Sequence, residues 1–293
     1  MDDSVCFVQF LHPGGEHGPD DGLLKRWNDG PHRRKFLIGQ GQYLQGGVPI
    51  EEEVVFWGEW EAPSEVRPIS APPHDGPNWL HRPFLELPTS YRGLQNTDPF
   101  VFGDQFHYTG CLQHTKFGPT QLRNMSRGSV ILFGSCLHRS TFVVDTVFGV
   151  ADFVVHSLRD YRDKLQGRIS DMYDRVTIAP WYANTVQRDK VHRLYFGATF
   201  DNPVDGMFSF VPCRPTDEAA RGFARPDVFI PGLITPSQTQ NKKLRRVGSS
   251  AELKPWWEEV VRQVEGQGLS LGTRIMLPLL GRSPGSSSPG EAA

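Results

Sequence analysis

The chain has 293 residues, of which 38% are hydrophobic and 22% charged. These values are typical of a soluble globular protein and exclude a disordered or fibrous one. The formal net charge of −2 excludes a uniformly basic surface but allows a local basic patch. The length predicts one large domain over residues 1–281, or two with a division near residue 156, followed by a disordered low-complexity tail over 282–293.

The cysteine pattern and the apolar runs exclude further classes. Cys6, Cys111, Cys136 and Cys213 contain no Cys-x-x-Cys pair, which argues against a thiolate zinc site and favours free thiols. No apolar run approaches the ~20 residues of a membrane helix. The acidic start lacks the basic region of a secretory signal. We therefore expect a cytoplasmic protein with no membrane partner, no metal and no organic cofactor.

Hydrophobic periodicity predicts more strands than helices. In chain order the predicted elements are strands at Val5–Leu11 and Val54–Glu61, a hairpin of Ser129–Ser135 and Thr141–Val150, a helix at Ser157–Arg175, strands at Leu194–Phe200 and Met207–Val211, and a helix at Pro255–Glu265 preceded by a capping box at Ser249 and Glu252. Strands and helices do not alternate regularly. The pattern predicts an α+β fold, a strand-rich mixed or antiparallel sheet with a few flanking helices.

The first predicted strand runs into a loop that carries His12, Glu16 and His17. Two imidazoles and a carboxylate within six residues are compatible with a metal site, but the intervening Pro-Gly-Gly forbids the helix that aligns zinc-protease ligands. A substrate-binding pocket loop and an ordinary surface turn are the alternatives. We assign the three side chains to substrate binding.

A basic cluster follows this loop. Its cationic members are Arg26, His32, Arg33, Arg34 and Lys35. Such a cluster can neutralise phosphates and bind nucleic acid in a salt-dependent manner. The alternative is a solvated charged segment. The acidic segments on either side make the charge distribution uneven, which favours the nucleic-acid interpretation.

The segment around Trp57 combines aromatic and acidic residues. In a strand, Trp57, Glu59 and Glu61 share one face. A tryptophan beside a carboxylate suits a pocket for a flat polar ring, and desolvation would prepare Glu59 for general acid catalysis. Core packing by Trp60 with two surface glutamates is the alternative.

Two further carboxylates are candidates. Asp98 lies in a proline turn between Asn96 and Phe100, a geometry that suits activation of water beside a stacked base, although an ordinary turn explains it equally well. Asp145 lies inside an apolar strand, where a buried carboxylate needs a partner. It is either functional or a structural anchor.

Several segments together resemble a known family. They lie at 7–17 (FVQFLHPGGEH), 32–37 (HRRKFL), 54–61 (VVFWGEWE), 96–103 (NTDPFVFG) and 131–148. The set resembles the bacterial anti-phage proteins called bacteriophage replication inhibition DNA glycosylases, over roughly residues 5–150. This resemblance implies excision of glucosylated hydroxymethylcytosine from phage DNA.

Two fainter resemblances concern shorter segments. Asp98-Pro99-Phe100 is similar to the Asp-Pro-Tyr water-activating turn of uracil-DNA glycosylases. It departs from that pattern in the preceding residues, in Phe for Tyr and in the absence of a late His motif, while the early His12-Pro13 stands in a different chain order. The hairpin Ser129–Val150 resembles the small barrels of modified-base readers of the PUA or EVE type, which bind a flipped base without chemistry.

The leading hypothesis is an antiviral DNA glycosylase that flips a modified base out of phage DNA. In it, Asp98 orients water and Glu59 polarises the leaving base, Trp57, Phe100 and Tyr108 offer stacking surfaces, and Asn96 binds the base edge. A non-catalytic reader of modified bases is the alternative. An enzyme of small sugars or nucleotides is the third interpretation.

Overall fold

The computed structural model describes residues 3–12, 14–19, 33–86, 97–138, 140–183, 188–219, 221–238 and 242–281. The predicted α+β class is confirmed, because strands dominate and only a few helices flank them. None of the helices in these ranges is long and apolar enough to cross a membrane. All four cysteines are free, as the sequence predicts.

Within the described ranges, one sheet has six strands in the order β13-β1-β9-β10-β11-β6. Their bounds are β1 (Val5–Leu11), β6 (His107–Tyr108), β9 (Val130–Leu137), β10 (Thr141–His156), β11 (His192–Gly197) and β13 (Lys242–Val247). The neighbours β1 and β9 are parallel, and the other pairs are antiparallel. The carboxyl ends of β1 and β9 therefore meet at one edge, where ligands often bind in open sheets.

A second sheet follows the order β14-β12-β3-β2-β5-β15 in the described part of the chain, and β4 pairs with β5. Its strands are β2 (Lys35–Gln45), β3 (Val48–Gly58), β4 (Ser64–Pro68), β5 (Trp79–Glu86), β12 (Val211–Pro215), β14 (Ser270–Ile275) and β15 (Leu279–Gly281). Strand β14 also pairs with β2, so β2, β3, β12 and β14 form a closed circuit of strands. A short hairpin, β7 (His114–Thr115) with β8 (Gly118–Pro119), stands apart.

Strand β1 is buried on both faces, which explains its nearly continuous apolar sequence. Val8 and Phe10 pack into one part of the core, and Phe7 packs into the other. This second part is covered by α4 (Ser250–Gly266), whose buried residues recur every three or four positions: Leu253, Trp257, Val260 and Val264.

The predicted helix over Ser157–Arg175 is wrong as one element. It is divided into α1 (Tyr161–Leu165) and α2 (Asp171–Tyr173), and α2 continues through a wider π-helical turn (Asp174–Ile178) into α3 (Ala179–Ala183). Gly167 has φ of +71°, a left-handed conformation that ends a helix and that glycine adopts without strain. The apolar spacing continues across the break because both pieces pack on the same core.

The later helix is confirmed, but its capping box is not. Ser249 occupies the N-cap of α4 without a side-chain capping hydrogen bond, and Glu252 Oε1 accepts the amide of Gly248 instead. Strand Leu194–Phe200 corresponds to β11, whereas the strand predicted at Met207–Val211 lies later, as β12.

The predicted hairpin of β9 and β10 is confirmed and contains a bulge. Val144 pairs with Gly134 and Thr146 pairs with Phe133, so Asp145 is the extra residue on β10. A bulge changes the direction of a side chain within a strand. It places the Asp145 carboxylate beside the Arg34 and Arg225 guanidinium groups.

Candidate functional site

Five ionisable side chains form a buried charge cluster where β1 and β9 end. Its members are His12, Arg34, Glu59, Asp145 and Arg225. Arg34 Nη1 donates to Glu59 Oε2 at 2.8 Å, and Arg34 Nε lies 3.3 Å from Asp145 Oδ2. Arg225 Nη1 is 3.4 Å from Asp145 Oδ1, and His12 Nδ1 is 3.8 Å from Glu59 Oε2. Two guanidinium groups thus compensate two carboxylates, with an imidazole at one end.

All five side chains are at least nine-tenths buried. Removing charges from water is costly unless they are paired and hydrogen-bonded. Ion pairs at the surface contribute little to the free energy of unfolding. In this buried network, each charge needs its neighbours to compensate the loss of hydration. The cluster therefore has a defined geometry.

Each member comes from a different part of the fold. His12 follows β1, Arg34 directly precedes β2 and Glu59 directly follows β3, while Asp145 lies at the bulge of β10. The β2–β3 pairing sets Lys35 opposite Gly58, which brings the residues beyond these ends, Arg34 and Glu59, together. The cluster thus joins the ends of strands from both sheets.

Arg225 ties the loop after β1 to this cluster. Its Nη2 donates to the carbonyl of Gly14 at 2.7 Å, and its Nη1 donates to Ser135 Oγ at 3.1 Å. The guanidinium also lies over the Trp57 ring, 5.0 Å from the centroid. Arg225 therefore holds the loop that carries His12 against the carboxyl end of β9.

Glu16 and His17 hold the same loop from its other side. Glu16 accepts the amides of Asn78 and Trp79 at 2.8 and 2.9 Å. The His17 carbonyl accepts from His81 Nε2 at 3.0 Å. Glu16, His17 and His12 do not converge on one point, and the described residues contain no group of three potential metal ligands. The loop is anchored by these contacts.

Burial and the nearby Lys35 charge lower the pKa of His81 to about 3. Because His81 Nε2 donates to His17, its Nδ1 is the acceptor for Ser64 Oγ at 2.9 Å. The neutral ring therefore forms a fixed link between β5 and the loop.

Two polar atoms of the cluster lack a hydrogen-bond partner among the described residues. They are the donor Arg34 Nη2 and the acceptor Asp145 Oδ2, which lies 3.3 Å from Arg34 Nε. An unpaired buried donor costs free energy of about 1–3 kcal/mol. An acceptor atom of a ligand placed beside Arg34 would satisfy the Nη2 donor.

Asp98 is enclosed rather than presented to a pocket. It is fully buried, and its two oxygens accept the amides of Thr109 at 2.8 Å and Cys111 at 3.0 Å. Desolvation raises the pKa of Asp98 well above its ordinary value, and the charge of Glu59 adds to the rise. The two carboxyl groups are thus close enough to interact, but in this geometry Asp98 anchors the segment 109–111.

The three predicted stacking residues lie in the core. Phe100 and Tyr108 are fully buried, and Tyr108 Oη donates to the Cys111 carbonyl at 2.5 Å. Trp57 is 4% exposed, and its Nε1 donates to the Phe223 carbonyl at 2.9 Å. Of the three, Trp57 alone touches the charge cluster, through Arg225.

The basic cluster is divided by the structure. Arg34 belongs to the buried charge cluster, and Lys35 is buried with its Nζ donating to the Ala62 carbonyl at 3.0 Å. Arg33 is half-buried at the surface. Arg26, His32 and the predicted base-edge residue Asn96 lie outside the described residues.

Sequence reasoning missed Arg225. Its partner Asp145 is 80 residues away along the chain. The apolar strand around Asp145 was the one available signal, since a buried carboxylate demands a compensating charge. Ser135, at the end of the predicted strand, adds its hydroxyl as a further contact of Arg225.

The arrangement places three chemical groups together: a carboxylate paired with a guanidinium, an imidazole 3.8 Å from that carboxylate, and a buried donor without an acceptor among the described residues. These groups are those of general acid–base catalysis or of polar ligand recognition. No family model, curated protein or solved structure matches this chain.

Proposed function

We propose that the protein hydrolyses the N-glycosidic bond of a modified base in DNA at the buried charge cluster. The observation that carries this proposal is the buried Arg34 Nη2, which has no hydrogen bond to a described residue, on the guanidinium that pairs with Glu59. His12 Nδ1 lies 3.8 Å from Glu59 Oε2. The reaction class follows from these groups. The substrate class follows from the sequence resemblance to anti-phage DNA glycosylases.

The reaction breaks the bond between the anomeric carbon and the base nitrogen, and water supplies the new C–O bond. Glu59 stabilises the cationic sugar that develops and receives a proton from the attacking water. Arg34 Nη2 donates to an oxygen of the leaving base and stabilises its negative charge. His12 supplies the proton that the departing nitrogen takes up, so proton and electron balance is complete.

Glu59 replaces Asp98 as the catalytic carboxylate in this proposal. Both oxygens of Asp98 accept backbone amides, and the side chain is fully buried, so bulk water does not reach it. Glu59 lies beside the nearly buried His12, at the edge where β1 ends. A base must leave the DNA stack to reach such a site.

The test compares base release from DNA carrying glucosylated hydroxymethylcytosine with release from unmodified DNA, by mass spectrometry. We expect the wild-type protein to release the modified base and leave abasic sites. Glu59→Gln keeps the shape and should release none. Arg34→Lys keeps the charge but removes Nη2, and should slow release strongly. Glu51→Gln, on the exposed start of β3, is the matched control.

Unchanged release by Glu59→Gln would exclude Glu59 as the catalytic group. Thermal unfolding of each variant shows whether a loss of release reflects a loss of fold.

A non-catalytic reader is the second candidate. The pairing of both carboxylates with guanidinium groups favours it, because a compensated network suits polar recognition without proton transfer. Selective binding of modified DNA without base release would establish this alternative. A wild-type protein that neither binds modified DNA nor releases its base would exclude both the glycosylase and the reader.

A further inference from the structure

Strand β13 carries four cations in six residues and forms an edge of the six-stranded sheet in the described structure. They are Lys242, Lys243, Arg245 and Arg246. Arg245 and Arg246 are exposed, and the two lysines are half-buried. None of the six residues is acidic, although the chain as a whole has a net charge of −2. The basic run is therefore a local concentration of positive charge.

The register places one end of this strand at the buried charge cluster. Lys242 pairs with Phe10, two residues before His12, and Val247 pairs with Val5 at the far end. Directly paired residues of antiparallel strands point to the same side. Lys242 therefore shares the face of Phe10, whereas Lys243 and Arg245 share the opposite face with Gln9 and Phe7. The strand extends away from the end of β1 for roughly 17 Å at about 3.4 Å per residue.

A surface groove of about 440 Å³ follows the same strand. Its cationic lining is Lys243, Arg245 and Arg246, and Phe7 and Leu233 form its apolar floor. Lys243 Nζ donates to Thr235 Oγ1 at 2.9 Å, and the Arg245 guanidinium lies over Trp256. These contacts fix the positions of two cations on the same face of the strand.

We propose that β13 and this groove bind the sugar–phosphate backbone of a nucleic acid whose flipped base enters the buried charge cluster. This inference rests on the proposed function for the identity of the partner. Its own support is the charge of the strand, the groove, and the register, which places the Lys242 end of the strand beside the carboxyl end of β1. Lysine and arginine at such a surface displace counterions from phosphates, which makes binding dependent on salt.

The test measures binding of a short fluorescein-labelled duplex, and of the same sequence as a single strand, by anisotropy over about 0.05–0.2 M salt. For the double variant Lys243→Gln/Arg245→Gln we expect the affinity to fall roughly tenfold or more. The slope of log affinity against log salt should decrease by about two, one for each lost phosphate contact. Lys242→Gln/Arg246→Gln removes the two cations on the face of Phe10, of which Arg246 also lines the groove, and it should lower the affinity as well.

The matched control is Lys254→Gln/Arg262→Gln, which removes two exposed charges from α4. It should bind like the wild type. Equal affinity and equal salt slope in both β13 variants would overturn the inference. So would self-association of the variants with unchanged DNA affinity, since charged edge strands also prevent edge-to-edge pairing.

Base release separates this inference from the proposed function. Weaker binding by the β13 variants, without base release by the wild type, would support the backbone contact and refute the glycosylase. Release by the wild type, with unchanged release and binding in the β13 variants, would support the glycosylase and refute the contact.

Discussion

Arg34 Nη1 donates to Glu59 Oε2 at 2.8 Å, with the two side chains only 1% and 4% exposed. The same guanidinium reaches Asp145 through Nε at 3.3 Å. One arginine therefore compensates two buried carboxylates that lie on different sheets. The contacts of Arg34 therefore join the two sheets and also set the geometry of the charge cluster.

Removal of this arginine should destabilise the protein strongly. Arg34→Ala removes the guanidinium that pairs with Glu59 and Asp145 at a buried position, and we expect the free energy of unfolding to fall by about 3–5 kcal/mol. Urea denaturation measures the change. Arg82→Ala removes a half-exposed ion pair with Glu53 and should cost less than about 1 kcal/mol. Equal losses in the two variants would mean that the buried network is not energetically distinct from a surface pair.

Asp98→Asn should affect stability rather than chemistry. Asparagine keeps one acceptor oxygen, but its amide NH2 group then faces the N–H of Thr109 or of Cys111, so two donors oppose each other. We expect a loss of about 1–3 kcal/mol in unfolding free energy and unchanged base release per folded molecule. Asp104→Asn, at an exposed position, is the control. Complete loss of release from a fully folded Asp98→Asn protein would restore Asp98 as a catalytic candidate.

The stability of the loop contact should decrease in acid. The folded-state pKa of His81 is about 3, below the 6.5 of an ordinary histidine. The unfolded chain therefore binds a proton between these values while the folded chain does not, so stability falls as the pH falls from 6.5 towards 3. Melting temperatures measured from neutral to acid pH should fall less steeply for His81→Gln than for the wild type.

His74→Gln replaces a side chain that is 94% exposed and is the comparison for the loss of a single histidine. An NMR titration of His81 above about pH 5 would contradict the assigned contact.

Gly134 should tolerate no side chain. A Cβ at this position would lie 2.0 Å from the Val143 carbonyl oxygen, at the pairing next to the Asp145 bulge. Backbone atoms cannot move aside cheaply, so Gly134→Ala should cost at least about 2 kcal/mol and disturb the Asp145 position. Gly266→Ala, where a Cβ meets nothing within 4 Å, should be neutral or slightly stabilising. A wild-type melting temperature for Gly134→Ala would show that the bulge adapts.

The local elements were largely determined by the sequence. The strand at Val5–Leu11 and the hairpin of β9 and β10 can be predicted, because buried strands consist largely of apolar residues. The helix at Pro255–Glu265 is similarly evident from its amphipathic spacing. The boundary at Gly167 was missed, because apolar periodicity records which side chains face the core and not whether the backbone stays continuous.

The site was decided by tertiary structure. His12, Arg34 and Glu59 were each selected by residue type, but their separation along the chain carries no information about mutual distance. The pairing of Arg225 with Asp145 could not be predicted from the sequence, because it depends on a bulge that directs Asp145 towards Arg225. Asp98 was selected as a catalytic carboxylate and Tyr108 as a stacking surface, yet both are fully buried in the folded chain. Burial and charge pairing are properties of contacts between distant segments, and those contacts exist only in the folded chain.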